Sequence, residues 1–402
     1  MKLLIHDLNK EEWDKIAHEY EGFETVHDDG SIKPCVGCFG CWLKEPGECV
    51  IKDGYEKMGA LIHRAEEITV ISRYTYGGFS SFVKNVFDRS IGWDLPYFEI
   101  YQGEMHHKKR YPEDKTITFI FRGNGLSAED KDRAKAYVEA VCRNFRGKVK
   151  DILFEECEDG ECIARVNVHD GHESRPEKRD KESEAQDKIS ESHSAGTVIL
   201  NCSLRGDNSN SKKFLDRILT GADDGVERIN LSAYLNRYDE LADILGSAEK
   251  IVFGMPLYVD GIPSACLRVM EFMEKRCTEG GRMVYVVANM GLYESRQIKN
   301  LMGMVRSFCD KCGFTYGGGI AIGAGEMMGQ VMGDTGRGPA KFVTEGLERL
   351  SNAVRKAEVI EDIYAEPYKF PRALYMFAAN SGWPAGARRN GLKRKDLLRQ
   401  RI

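Results

Sequence analysis

The chain has 402 residues, of which 42% are hydrophobic, 30% charged and 10% aromatic. That is ordinary globular composition, and it excludes wholesale disorder, collagen-like repeats and a small disulfide scaffold. At roughly 100–200 residues per domain the length predicts two or three domains, and a formal net charge of −5 predicts no nucleic-acid or anionic-membrane partner.

The chain opens on a strand pattern, KLLIHDL, whose apolar stretch Met1–Ile5 is too short for the core of a signal peptide. No apolar run approaches the ~18 residues of a membrane span. A cytoplasmic, reducing location is expected. There the 12 cysteines are read as thiols or metal ligands rather than disulfides. The segment after the first strand is Asn9-Lys10-Glu11-Glu12-Trp13. It has no glycine, serine-rich turn or arginine, and its glutamates repel an anion.

Cys35, Cys38, Cys41 and Cys49 follow with the spacing C-x2-C-x2-C-x7-C. Two-residue gaps let a tight turn direct successive thiolates at one centre, and Gly37 and Gly40 permit unusual backbone angles. Soft thiolates select iron–sulfur clusters or zinc. Unmetallated thiols on a structured loop are the third reading. EITVISRYTY, TITFIFRGN and VKDILFEE then read as strands, and KEEWDKIAHEY, YEKMGALIHRA, SFVKNVFDR and EDKDRAKAYVEAVCRNF as helices. His106 and His107, followed by Lys108, Lys109 and Arg110, read as a solvated loop.

Residues 156–195 are charged and contain GHESRPEKRDKESEAQDKISESHSA, which has no aromatic residue. Such a segment buries too little to offset chain entropy and reads as a flexible linker. Beyond it TVILNCS, VERINL, KIVFGMPLY, RMVYVVANM and GGGIAIG read as strands separated by helical patterns. Near-continuous apolar strands alternating with helices predict parallel sheets covered on both faces. The expected fold class is α/β: two doubly wound parallel-sheet domains, residues 1–155 and 196–357, with a basic extension over 358–402. Cys309 and Cys312 fall late in a helical pattern and read as a buried face rather than a redox pair.

The turn after TVILNCS carries Ser203, Arg205, Ser209, Asn210 and Ser211. In an open parallel sheet, ligands bind beyond the carboxyl ends of the strands. Hydroxyls, an amide, backbone N–H groups, a helix start and an arginine suit a phosphate ester. The turn lacks G-x-G-x-x-G and G-x-x-x-x-G-K-[ST], which argues against a dinucleotide fingerprint and a P-loop. The plainer alternative is a helix cap, which needs only one such residue.

SLRGDNSNS resembles the S-x-R-x-x-S-N-[ST] phosphate loop of NAD(P)H-dependent FMN reductases and of the wider flavodoxin-like family. MPLYVDGIPSACLRVMEF resembles that family's ring-side loop, and ANMGLYES its next ring-binding loop. The resemblance spans roughly residues 196–355. It implies flavodoxin-like domains and FMN, with Ser203, Arg205, Ser209, Asn210 and Ser211 at the phosphate. Pro256, Leu257, Tyr258, Val259 and Asp260 would lie by the ring, and Asn289, Gly291 and Tyr293 would complete the pocket. In the first domain SRYTYGGFSSFVKNVFDR resembles the ring-side loop, so Tyr74, Thr75, Tyr76 and Gly77 would cover a flavin although the phosphate loop is degenerate. The cysteine run resembles the motif of iron–sulfur flavoproteins, which implies a [4Fe-4S] cluster on Cys35, Cys38, Cys41 and Cys49. Members of the family form homodimers, so this chain reads as a homo-oligomer or as an internal pseudo-dimer.

The activity implied is oxidation of NAD(P)H with electrons passed to a small-molecule or protein acceptor (a flavin, a quinone or an aromatic compound). Positioning rather than an acid or base would carry the rate, so no side chain is assigned a catalytic role. An iron–sulfur electron carrier without nicotinamide use, and a non-catalytic flavin-binding or scaffold protein, are the alternatives. The last 15 residues carry seven basic residues against Asp396. With Tyr368, Phe370, Tyr375, Phe377 and Trp383 before them, they are expected to dock on the fold rather than form a free arm.

Overall fold

The computed structural model describes residues 1–157, 196–221, 224–277, 279–332 and 338–401. Most of the segment expected to be a linker, from residue 158 on, lies outside the described residues.

The first half runs β1 (Lys2–His6), α1 (Lys10–Ile16), β2 (Phe23–Val26), α2 (Gly40–Leu43), α3 (Met58–Arg64), β3 (Glu67–Arg73), α4 (Ser81–Arg89), β4 (Asp94–Tyr101), β5 (Glu104–Lys109), β6 (Thr116–Arg122), α5 (Ala128–Asn144) and β7 (Lys148–Glu155). The second runs β8 (Thr197–Asn201), α6 (Asn210–Leu215), β9 (Val226–Asn230), α7 (Tyr238–Ser247), β10 (Lys250–Pro256), α8 (Ser264–Arg276), β11 (Met283–Asn289), α9 (Lys299–Cys312), β12 (Thr315–Ile322), α10 (Gly325–Val331), α11 (Lys341–Lys356), β13 (Ile363–Ala365) and α12 (Arg372–Arg389).

The first parallel sheet has the order β2-β1-β3-β6-β7 and the second β13-β12-β11-β10-β8-β9. Both are flavodoxin-like doubly wound sheets, the second with a sixth strand at its edge. Strands such as Ile68–Ile71 and Ile251–Met255 are buried on both faces, which explains their unbroken apolar composition. In each sheet the strand order reverses beside the first strand, and the carboxyl ends there open a crevice.

The halves pack against each other through α4 and α8, and one apolar cluster continues through both. Each helix follows the same turn. Thr75 bridges Gly78 in the first half and Tyr258 bridges Gly261 in the second. The helix starts then exchange caps. The Ser81 N–H and hydroxyl donate to Glu271 on α8, at 3.1 and 2.7 Å. The Ser264 N–H donates to Asp88 on α4 at 3.0 Å, and its hydroxyl to Asn85 at 3.1 Å. Asp88 also pairs with Lys84, and both side chains are fully buried. The Lys84 ammonium reaches the Tyr258 carbonyl at 2.7 Å.

Two additions to this plan shape the site. The antiparallel hairpin β4–β5 stands apart from the sheet. The C-terminal extension docks, with α12 laid against that hairpin: Asn380 accepts from the Phe98 N–H at 2.6 Å and donates to its carbonyl at 3.0 Å. Arg110 then holds the carbonyls of Leu397 and Arg399 at 2.8 and 2.7 Å.

Removing Asp88 strands the Lys84 charge and leaves the Ser264 N–H without its acceptor. Asp88→Ala is expected to cost about 3–5 kcal/mol, and the double variant Lys84→Met/Asp88→Leu clearly less. Urea denaturation checks this, and a loss below about 1 kcal/mol for Asp88→Ala contradicts the role given to the pair.

Candidate functional site

At the switch point of the second sheet a cavity of about 460 Å³ is lined by Ser203, Arg205, Ser209, Asn210 and Ser211, by Pro256 through Asp260, and by Asn289 and Gly291. Three strand-end loops expected from the sequence therefore meet at one space. The opposite wall comes from the first half and the extension: Cys35, Gly37, Phe39 and Trp42 of the cysteine loop, Phe98 and His107 of the hairpin, and Tyr375 and Trp383 of α12.

The turn 203–211 is rigid. Asn201 accepts from the Ser203 N–H at 3.2 Å and donates to the Gly206 carbonyl at 3.0 Å. The Ser211 hydroxyl donates to Asn289 at 2.7 Å, which ties this turn to the third loop. Ser209 caps α6, accepting from the Lys212 N–H at 3.1 Å, and its own proton goes to the Gly206 carbonyl at 2.8 Å. Ser209 therefore shapes the turn. Ser203 and Arg205 line the cavity, and Arg205 is balanced only loosely by Glu326 at 3.7 Å. The first turn of α6 leaves the Asn210 and Ser211 N–H groups without intrahelical acceptors.

The 256–260 loop turns through positive φ at Val259 and Asp260, 39° and 58°. Burial pushes the Tyr258 phenol well above its ordinary value, with Cys35 and Asp88 adding to the shift, so it stays neutral. Burial pushes Asp260 up to about 6, while Asn144 and Lys84 pull against it. Burial lowers His107 to about 4. The two histidines lie in β5 rather than in a solvated loop, and His107 faces the cavity.

The equivalent edge of the first half is closed by its own side chains. The Asp7 carboxylate accepts from the Arg73 N–H at 3.1 and 3.0 Å, and His6 stacks on Trp13 at 4.5 Å. A carboxylate thus stands where an anion would have to enter. Tyr74, Thr75, Tyr76 and Gly77 do not line the cavity. Tyr76 is buried between the two halves, donating to Glu274 at 2.6 Å, and Tyr74 donates to Asp130 at 2.8 Å. Tyr293 also stands back. Its hydroxyl donates to the Phe370 carbonyl at 2.6 Å and anchors the extension.

The four cysteines of the loop are free thiols. Burial pushes Cys35 up to about 12 and Cys41 well above its ordinary value, with the neighbouring thiols adding to both. Cys49 accepts from the Arg89 guanidinium at 3.1 Å and Cys38 from the Gly40 N–H at 3.3 Å. Among the described residues no three histidine, cysteine or carboxylate groups converge to hold a metal ion. No electron-transfer step is assigned to them. Outside the loop, Cys157 is disulfide-bonded, unlike the thiols expected from the composition.

No helix is long and apolar enough to cross a membrane among the described residues. No family model matches the chain, and no curated protein is similar to it. Among solved structures, an azoreductase from Bacillus anthracis str. Sterne is similar at 15% identity and a TM-score of 0.31, over 40% of this chain and 98% of that one. An NADH:FMN oxidoreductase in its apo form is similar at 13% and 0.30, over 39% and 89%. A flavodiiron core from Synechocystis sp. is similar at 10% and 0.26, over 86% and 79%.

Two predictions follow from this geometry. Gly37 sits at φ +63°, and a Cβ there would lie 1.9 Å from the Tyr258 hydroxyl oxygen. Gly37→Ala is expected to cost about 1–3 kcal/mol. Tyr258→Phe, which removes the nearest atom, should restore part of that in the double variant, and a strictly additive loss by denaturation would contradict the contact. The second concerns Asp260. Its folded value of about 6 lies above its ordinary 3.8, so its contribution to stability is present below pH 4 and is lost as pH rises through 6. Asp260→Asn should therefore gain about 2–3 kcal/mol relative to the parent between about pH 4 and pH 7. A pH-independent difference in denaturation free energy would refute this.

Proposed function

We propose that this chain is an FMN-dependent oxidoreductase that takes a hydride from NAD(P)H and passes electrons to a second acceptor. The observation that carries the reading is that three consecutive strand-end loops of the second sheet line one cavity. One end holds hydroxyls and a guanidinium, and the other is aromatic. A phosphate ester joined to a flat apolar ring system has that polarity.

The residues present fit FMN. Ser203, Arg205, Asn210 and Ser211 supply neutral and charged donors for the phosphate, and the half-buried Arg205 adds a full charge. Pro256 and Leu257 offer an apolar edge to the ring. Bound flavin supplies hydride acceptance and one- or two-electron release. The chain's own part is to bind, orient and exclude water. Tyr258 cannot ionise in its buried setting, so it presents a neutral surface. The bonds between Tyr258 and Gly261 hold the Val259 and Asp260 N–H groups at the tip of a rigid turn, where they can donate to an electron-rich ring edge. No side chain in the lining has to deliver a proton for hydride transfer.

The closed crevice of the first half leaves one such site per chain. The purified protein is expected to be yellow, with one FMN released per chain on denaturation. It should oxidise NADH or NADPH anaerobically with bleaching of the flavin. Arg205→Ala with Ser203→Ala removes a charged and a neutral hydrogen bond and should weaken FMN binding by about 10–100-fold, that is, by about 1.5–3 kcal/mol. A colourless protein that takes up no added FMN would sink the assignment.

A further inference from the structure

Helix α12 has two distinct faces. Tyr375, Ala379, Gly382, Trp383 and Gly386 line the cavity, and their spacing keeps them on one side of an α-helix. Leu374, Phe377, Ala378, Ser381 and Arg388 share a second side, and all five are exposed. Phe377 is 70% exposed, more than any other large apolar side chain among the described residues, and Leu374 is 50% exposed. Ala378 and Ser381 beside them are small, so the two apolar side chains stand out from the helix surface with no groove around them. A single exposed apolar residue is ordinary. Two on one face of a helix that contains no acidic residue are a different matter, because of the charge that follows.

From residue 367 to the end, nine side chains are basic and only Asp396 is acidic. Asp396 pairs with Arg399 at 3.0 Å, and Arg401 lies 3.7 Å from Glu48. Arg388, Arg389, Lys393, Arg394 and Lys395 are exposed and form no ion pair among the described residues. Arg388 comes eleven residues after Phe377, a step that brings an α-helix back to nearly the same angle. The basic cluster therefore begins on the face that carries the apolar pair. The formal net charge of −5, which argued against an anionic surface, averages this strip away.

We propose that the outer face of α12 and the basic segment after it form a docking surface for an anionic lipid bilayer. Phe377 and Leu374 enter the boundary between headgroups and acyl chains, and the basic side chains meet the lipid phosphates. A bilayer is favoured over a folded acidic protein because a protruding apolar pair without a groove needs a medium that yields around it. It is favoured over a nucleic acid because that partner would use the charges and leave Leu374 in water. The surface does not depend on the cofactor reading. It lays the roof of the cavity along the membrane.

The test is flotation of the full chain with phosphatidylcholine vesicles, with and without about one-third phosphatidylglycerol. The chain is expected to float with the anionic vesicles and to stay behind with the neutral ones, and added salt should release it. Each basic residue near such a surface strengthens binding by about fivefold. Arg388→Gln/Arg394→Gln/Lys395→Gln should therefore weaken it by about 100-fold. Leu374→Ser/Phe377→Ser should weaken it by about 10–100-fold at unchanged salt. Both sets change exposed side chains, so the denaturation midpoint should stay near that of the parent. Three results would overturn the surface: no flotation with anionic vesicles, a Leu374→Ser/Phe377→Ser variant that binds them within twofold of the parent, or binding of duplex DNA or soluble poly-glutamate as tight as that of the vesicles. The last would assign the basic cluster to a soluble polyanion.

Discussion

Helix α4 is the post on which the rest is hung. Every residue from Phe82 to Arg89 is buried, which is unusual for a helix that carries Lys84, Asn85, Asp88 and Arg89. Burial of so many polar groups is tolerable only where each is paired, and here each pairing is also a joint. Asp88 and Asn85 cap α8 of the other half. Lys84 holds the turn at Tyr258. On the far side Asn85 donates to the Lys33 carbonyl and accepts from the Cys35 N–H, and Arg89 binds Asp53 and the carbonyls of Lys33 and Ile51. One helix thus sets the distance between the 256–260 turn of the second half and the cysteine loop of the first. That distance is the width of the cavity.

The two halves share a plan and have divided the work. The second keeps an open crevice with a donor-rich turn. The first has filled its crevice with Asp7 and with the stacked pair His6–Trp13, and its ring-side turn has become an interface in which Tyr76 meets Glu274. In a symmetric pair each unit would both bind and cover. Here the first half contributes two walls to the cavity of the second: the cysteine loop, whose Gly37 lets the Tyr258 hydroxyl come close, and the hairpin that carries Phe98 and His107.

What could be read from the residues follows from how local the signal is. The parallel strands are apolar runs, and the turn at Ser203 is a dense cluster of donors, so both were legible, as were the three loops that converge at a strand edge. The hairpin β4–β5 was not. Its strands mix charged and apolar residues, and its turn at Gln102-Gly103 lacks the Asn-Gly or Asp-Gly pair that usually marks one. The role of Ser209 as a cap depends on where its proton goes, which no spacing reveals. Tyr74–Gly77 has the pattern of a ring-side turn and keeps its backbone shape. What changed is its neighbour, α8, and a change of neighbour leaves no local trace. Trp383 was noticed only as an aromatic in a tail, because its partners Trp42 and Phe39 lie more than 300 residues earlier.

The extension does more than cover a surface, because it is fastened to the site loops themselves. Tyr293 donates to the Phe370 carbonyl, Arg372 pairs with Glu294 at 2.8 Å, and the Tyr375 hydroxyl donates to the Gly291 carbonyl. Gly291 lines the cavity and lies two residues beyond Asn289, which accepts from Ser211 of the 203–211 turn. A chain of contacts therefore runs from the donor-rich end, through the third loop, to the roof. Tyr375 stands about two turns before Trp383 on the same helix. The donor-rich end of the cavity and its roof are thus joined by direct contacts through the third loop.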